Sequence, residues 1–576
     1  DLKSLPATKL NNCKSLDFAY NKLRLFPNFV FISPSLEILK LMRNPFWETD
    51  IEEEKEFNVN VLAKIPETLR ELYIEGTFNG SIQRGIISNR LPNLTVFNCA
   101  RGGGAYFYAD TRRESGADYD KGRFGFVPDM PETCIVFSIS NNDFKKVDLN
   151  DNGSVIGIGG SGSYSFKKLP KLQILQCSGN GNLGDGGLSR DLASANSQNG
   201  EAPTITTIDY SSTGLGIPSN LNNVSSLKSY TATFNVGSVN QFVDPNTGVY
   251  AFNSCSSLET INLSHTNLGL INLPVQFNNI KLKTLNLSET SIKGGIPNNE
   301  EFVINKSTFS LAVDLEELRI SSDFLLEKGI EPDSFINNIN LRIFKIESNG
   351  RCTGSITTLF NSCRNLQQLD VKFNNFDGSL PNLVNNSSIK TVDFSFNSFT
   401  NRIPSYSLPS ATSLKFENNK LTSIGQPGGM PVLSSYSAQN NDIGGEIPNF
   451  SSCPKLVSLS LANNLLTGYT SGAFIELPKI NFIDLKFNQL SGADLNQILL
   501  DLRANYNLSP RSNVTVNLKN QRPNISNGDE SLARPDENSG AFREARFLKS
   551  KGWNIGISGG IPDPPPPPEE NEPELT

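Results

Sequence analysis

The one histidine of the chain, His265, follows Ser264, and Glu289 stands one repeat downstream. Serine, histidine and a carboxylate are the types from which a nucleophile, a base and an orienting acid are made. Ser264 and Glu289, however, occupy positions that are polar all along the chain, so the trio reads as surface. A single histidine cannot complete a metal cluster, and no Cys/His spacing fits zinc. Asp370 and Asp393 fall at equivalent positions of successive segments, about 4.8 Å apart if those segments are neighbouring strands. Lys372 and Lys415 beside them turn that pair into a charge-compensated face. The run Gly157-Ile158-Gly159-Gly160-Ser161-Gly162 has the glycine density of a phosphate loop, but no Lys-Ser/Thr follows it, and it reads as a connecting loop. No catalytic residue, no metal ligand and no cofactor is expected.

The elements that carry these residues repeat. Leu456-Val457-Ser458-Leu459-Ser460-Leu461-Ala462-Asn463-Asn464 has the form LxxLxLxxN, and it returns as Leu36 to Asn44 and as Ile483 to Asn488. Anchored on the Asn position, repeats fall at Asn21, Asn44, Thr77, Gly102, Asn142, Asn180, Thr213, Asn235, Thr266, Thr290, Asp323, Asn349, Asn374, Asn397, Asn419, Asn441, Asn464 and Asn488. The period is about 22–26 residues where no insertion intervenes. Leu456, Leu459 and Leu461 are expected to point inward from a short parallel strand, with Ser458 and Ser460 outward. One coil cannot bury its own apolar stripe, so neighbours must stack into a continuous core. The anchor amide is expected to bond backbone groups in the turn, and threonine can do part of that work.

The second halves of several repeats read Gly-x-Ile-Pro or close to it: Gly295-Ile296-Pro297, Gly378-Ser379-Leu380-Pro381, Arg402-Ile403-Pro404 and Gly445-Glu446-Ile447-Pro448. Proline there blocks a helix and favours extended backbone on the convex side. From Leu16 to Gly492 the chain resembles plant-type leucine-rich repeats. The resemblance implies an α/β leucine-rich-repeat solenoid, a curved right-handed superhelix with short parallel concave strands and little helix. A solenoid has no built-in chemistry, so the expected work is binding.

The expected organisation is a solenoid over 1–492, a small α/β C-terminal cap over 493–558 and a proline-rich acidic tail over 559–576. Insertions break the period near 103–131, 153–166, 185–203 and 236–253, where binding loops are expected. The first holds the leading contact residues, Tyr106, Tyr108, Arg112, Arg113, Arg123 and Phe126, since aromatics and arginines make recognition hot spots. The last contains Phe242, Tyr250 and Phe252. A second candidate is a concave strip through Asp209, Thr231, Asn262, Asn286 and Arg319, whose Ser, Thr and Asn surroundings suit hydroxyl-rich ligands. The formal net charge of −7 argues against nucleic acid, and no run of 18 apolar residues could span a membrane. Cys99, Cys177, Cys13, Cys134, Cys255, Cys363 and Cys453 sit at apolar positions and are expected as core thiols rather than disulfides. Sequons such as Asn93, Asn223, Asn262, Asn286, Asn386 and Asn513 are what an Asn- and Ser-rich chain generates by chance. The chain opens at Asp1 inside a repeat, which reads as a processed or partial chain.

After Gly492 a helix is expected over Leu495–Leu502, a strand over Val514–Leu518 and a second helix over Gly540–Lys551, leading into Gly552-Trp553-Asn554-Ile555. The order of helix, Asn-rich strand, proline linker, helix and Lys-Gly-Trp resembles the ends of leucine-rich-repeat proteins from tailed bacteriophages, especially those of marine cyanobacteria, and from some bacteria. That resemblance implies a virion structural or adhesion protein. Pro562–Pro568 with the following glutamates forms a polyproline rod ending in acid, a spacer or a strap along a neighbour. The leading expectation is thus a virion-surface or extracellular scaffold for host attachment. Its partner would be a host glycan or protein, or neighbouring virion subunits in an oligomeric assembly. A purely structural subunit and a cellular surface receptor or adhesin are the alternatives.

Overall fold

The computed structural model describes residues 3, 9–51, 57–78, 86–100, 130–141, 148–149, 155–156, 169–180, 204–213, 221, 224–235, 250–266, 274, 276–290, 303–321, 329–350, 352–523, 531–536 and 539–563. They fall into two compact units, one of residues 1–302 with 307–325, the other of 303–306 with 326–576.

In the first unit the strands Ser15–Asp17, Ile38–Lys40, Glu71–Tyr73, Val96–Asn98, Val136–Ser138, Ile174–Gln176, Thr207–Asp209, Ser229–Thr231, Thr260–Asn262, Thr284–Asn286 and Glu317–Ser321 form one parallel ladder in chain order. In the second, Ile343–Glu347, Gln368–Asp370, Thr391–Asp393, Ser413–Lys415, Ser435–Ser437, Ser458–Ser460 and Phe482–Asp484 do the same. The period in sequence has become the step from strand to strand. Leu456, Leu459 and Leu461 are fully buried, as are their counterparts in neighbouring coils.

The anchor side chain ties each coil to the one before it. Asn464 Nδ2 donates to the carbonyls of Ala438, Leu461 and Ala462 at 3.0, 3.1 and 3.2 Å, and Oδ1 accepts from Ile443 N–H at 3.1 Å. Thr290, with a single hydroxyl, reaches only Leu287 O among the described residues, at 2.9 Å. Immediately before the anchor the chain takes a left-handed residue, with φ of 54–58° at Phe234, His265, Glu289, Phe373, Phe396, Asn418, Asn440, Asn463 and Phe487.

The proline-marked halves of the second unit's coils are more than extended. Thr353–Gly354, Asn375–Ser379, Ser398–Ile403 and Lys420–Ile424 pair in a second parallel ladder, and Gly444–Ile447 pairs with Leu465–Tyr469. Register shifts at Asn401/Arg402 and Gly445/Glu446 leave one extra residue on the following strand, Thr422 and Thr467 respectively.

Past Gly492 the first ladder continues. Thr515–Asn517 pairs with Phe482–Asp484, and Asn554–Gly556, read from sequence only as a lead-in, pairs with Thr515–Asn517. Helices Gly492–Leu508 and Ala541–Ser550 occupy the other side of these coils. The first opens with a capping box between Ser491 and Asp494. Its buried Asp501 accepts from Tyr469 Oη at 2.7 Å, Gly472 N–H at 2.6 Å and Gln497 Nε2 at 2.8 Å. Asn505 Nδ2 bonds the carbonyls of Phe474, Ile475 and Leu477. These two polar residues dock the helix onto the preceding coil. Asp501→Ala should therefore lower the unfolding free energy of this unit by about 2 kcal/mol, since buried donors lose their acceptor. A urea midpoint unchanged from the parent would overturn that assignment.

Two expectations need correction. Tyr250 and Phe252, placed in a binding insertion, are core residues at 2% and 0% exposure, packed against Phe277 and Tyr230. Cys13 is only half-buried, whereas the other seven cysteines are buried; none of the eight forms a disulfide. Burial pushes the Cys134, Cys255 and Cys363 thiols up to about 12, so they stay protonated and inert.

Candidate ligand-binding face

The strip expected from sequence is a physical row. Asp209 is the register partner of Thr231, Thr231 of Asn262, Asn262 of Asn286 and Asn286 of Arg319. All five are half-buried on the ladder face of the first unit. A parallel row, Thr207, Ser229, Thr260, Thr284 and Glu317, lies two residues earlier on the same strands. Between Thr207 and Asn286 the two rows offer hydroxyls and amides, with Asp209 their one acidic side chain.

The Asp and Asn of this row also have a structural task that periodicity does not reveal. Oδ1 of Asp209, Asn262 and Asn286 accepts from the N–H two residues on, at 3.0, 3.2 and 3.1 Å. The same turn recurs at Asp393 and Asp484. It bends the chain off the strand toward the left-handed residue. One oxygen is thereby committed, and no described residue accepts from Nδ2 of Asn262 or Asn286. Arg319 leans on Glu317 at 3.4 Å.

Sequence reading missed the edge of this face. Phe234, 55% exposed, stacks on the His265 ring at 4.3 Å and 4°. His265 Nδ1 sits 2.8 Å from Glu289 Oε2. Ser264 does not join them, because its Oγ donates to Asn262 Oδ1 at 2.9 Å. The trio considered for nucleophilic chemistry is instead a stacked rim. Its signal was present in the sequence: Phe234, Phe373, Phe396 and Phe487 all immediately precede an anchor Asn. In the second unit Phe373 and Phe396 stack at 4.3 Å, and Asn418, Asn440 and Asn463 form an amide ladder with bonds of 3.0 and 2.9 Å.

Charges on the second unit's ladder face neutralise one another. Lys372 Nζ lies 2.7 Å from Glu347 Oε2 and 3.3 Å from Asp370 Oδ2; Lys415 pairs with Asp393 at 3.6 Å and Lys486 with Asp484 at 3.4 Å. Burial, with Glu347 and Asp393 close by, pushes Asp370 up to about 6. Burial also acts to raise Glu347, but the Lys372 ammonium outweighs it and holds that carboxyl below its ordinary value. Among the described residues no group of three His, Cys, Asp or Glu could hold a metal ion, and no helix is long and apolar enough to cross a membrane.

Tyr106, Tyr108, Arg112, Arg113, Arg123 and Phe126 lie outside the described residues, as do the insertions 153–166 (apart from the backbone of 155–156), 185–203 and 236–249. Of the sequons, Asn386 is fully buried with its Nδ2 on Cys363 O at 2.7 Å, so no glycan can be attached there.

Residues 448–490 match the family model described as leucine rich repeat. The PEPR1–AtPEP1 structure superposes with a TM-score of 0.56 at 18% identity, over 88% of this chain and 66% of that one. Each unit is a leucine-rich-repeat solenoid. The Arabidopsis receptor kinase HAESA, in complex with the peptide hormone IDA and the co-receptor SERK1, gives a TM-score of 0.53 at 18% identity, covering 94% of this chain and 82% of that one. In sequence, the solenoid is 26% identical over 162 residues to Receptor like protein 21 of Arabidopsis thaliana. That stretch is 27% of this chain, which spans 16% of the receptor's length.

Proposed function

We propose that this chain is a non-enzymatic recognition scaffold, exposed outside the cell, that binds an extended polar ligand across the ladder face of its first unit. The observation that carries the reading is the registered row from Asp209 to Arg319. Donors and acceptors repeat there at the strand spacing of about 4.8 Å, so an extended chain laid along the row meets one coil after another. The Phe234–His265 stack walls one side. A peptide is the ligand class we favour, because a structure of the same fold, HAESA, is a complex with the peptide hormone IDA.

A second reading sets the same scaffold on a virion surface, as an attachment protein or a structural subunit touching its neighbours. What supports it is the resemblance of the C-terminal sixty residues to phage proteins. The insertion residues Tyr106 to Phe126 would then make the host contact.

The test is saturable binding of the purified chain to candidate peptides, glycans and cells. Its comparators are Asn262→Arg with Asn286→Arg, and a version lacking 103–131. The double arginine variant should weaken binding at least about tenfold, since two long cations displace a neutral ligand from the row. Binding that survives it and disappears with the insertion would overturn the ladder-face assignment and favour attachment through the loop.

A further inference from the structure

In the first unit the residues just before the anchors form a column along the rim of the ladder face. Near its start Arg43 lies over the Tyr20 ring, with Cζ 5.9 Å from the centroid, and its Nη2 is 3.9 Å from Glu75 Oε1. Ring, guanidinium and carboxylate come there from three successive coils. Further along, the column reads Asn141, Gly179, Ser212, Phe234 and His265, all at positive φ. His265 covers one face of Phe234, and Glu289 Oε2, 2.8 Å from Nδ1, holds the imidazole in place. The other face of Phe234 looks over Ser212, which is too small to cover it. No described ring or cation lies against that face. One coil beyond Ser212, the Asn141 amide takes the space of a side chain at Gly179, where a Cβ would lie 2.3 Å from Asn141 Oδ1. Between the Phe234 ring and that amide only Ser212 forms the floor. Two coil steps of about 4.8 Å each leave room there for one planar group.

A carboxylate stands at this slot. Asp209 Oδ1 accepts from Ser211 N–H at 3.0 Å, a turn that folds the carboxyl back beside Ser212. Its Oδ2 receives no hydrogen bond from a described residue. At the equivalent position of their own coils Asp370, Asp393 and Asp484 each have a lysine ammonium, at 3.3, 3.6 and 3.4 Å. Asp209 has no such cation among the described residues. An open ring face beside a carboxylate is the pair of partners that Arg43 finds in Tyr20 and Glu75.

We propose that the slot over Ser212 binds an arginine side chain of the ligand. This rests on the peptide reading of the ladder face and adds one residue to that peptide. The arginine precedes Asn262 and Asn286 along the row, next to the neutral stretch seated there. Its guanidinium lies flat on the open face of Phe234 and donates to Asp209 Oδ2. Arginine fits better than lysine because its planar cation stacks on an aromatic face and still donates along its edge. The stack on His265 fixes the plane of the Phe234 ring before the ligand arrives, so little side-chain freedom is lost on binding. A neutral sugar ring would leave the Asp209 charge uncompensated.

Saturation-transfer NMR with N-acetyl-arginine methylamide at low salt tests the slot by itself, beside the longer peptides that test the face. The parent chain should bind this probe at least about tenfold more tightly than its citrulline analogue, which keeps the plane and loses the charge. Ser212→Phe adds a ring of the kind carried at the same position by Phe234, Phe373, Phe396 and Phe487. It fills the slot and should abolish saturable binding of the probe. Asp209→Asn keeps the turn, as Asn262 does, and should weaken the probe about fivefold. No saturable arginine binding, equal binding of the citrulline probe, or arginine binding that survives Ser212→Phe would overturn the proposal. A methyl glycoside that binds in place of arginine and is lost with Ser212→Phe would also overturn it and assign the slot to a glycan. Longer peptides bound by a chain that ignores the arginine probe would sink this inference and leave the peptide face standing. Arginine binding by a chain that takes no longer peptide would uphold the slot and sink the peptide reading of the face.

Discussion

Asn441→Ala is expected to remove about 4 kcal/mol from the stability of the second unit. Its Nδ2 bonds the carbonyls of Phe416, Ala438 and Gln439 at 2.9, 3.1 and 3.2 Å, and its Oδ1 accepts from Leu421 N–H at 3.1 Å. Alanine leaves these groups without the amide that pairs them. Asn441→Thr should cost about three-quarters as much, because a hydroxyl keeps one of the four bonds, as Thr290 does. Urea unfolding would show both, and hydrogen exchange over 413–447 would localise the loss. A difference below about 1 kcal/mol for alanine would mean that the anchors are passive.

The second large effect is a pH dependence centred on Asp370. This carboxyl is 7% exposed and lies in register with Asp393, with Glu347 and Lys372 at hand. Its folded value of about 6 stands above the ordinary 3.8. A raised carboxyl binds its proton more tightly in the fold than in the unfolded chain. Its contribution is therefore fully present below about pH 4 and is lost as pH rises through about 6. Two units correspond to about 3 kcal/mol at most. Asp370→Asn should accordingly be the more stable form at pH 7.5, and its advantage should shrink by pH 4.5. Urea midpoints of the two proteins across that range decide it. An advantage that grows on acidification would reverse the sign and sink the argument.

The fold was legible because the anchor does two things at once. It ends the strand and ties its coil to the previous coil, so a spacing counted in residues is also a step in space. The row from Asp209 to Arg319 could be written down for the same reason, although the intervals between its members run from 22 to 33 residues. Periodicity does not say what a residue does besides lying in a row. Asn262 looked like a ligand donor and is also a turn former; Tyr250 and Phe252 looked like loop anchors and fill the core. The second ladder escaped notice because Pro404 and Pro448 signal extended backbone whether or not it is paired. The Phe234–His265 rim escaped because each residue was weighed within its own coil, while the contact is between coils.

The left-handed residue before each anchor has a consequence for how such a molecule can change. At φ near 55° a side chain branched at Cβ is disfavoured, and proline is excluded by its ring. Phe, His, Glu, Ser, Tyr, Arg and Asn are all found there among the described residues. Because the backbone at this position is held by the turn and the anchor on either side, its side chain can be exchanged while the ladder beneath stays as it is. The row works as an interchangeable alphabet on a fixed page: new specificities can be spelled along it one letter at a time, with the core untouched.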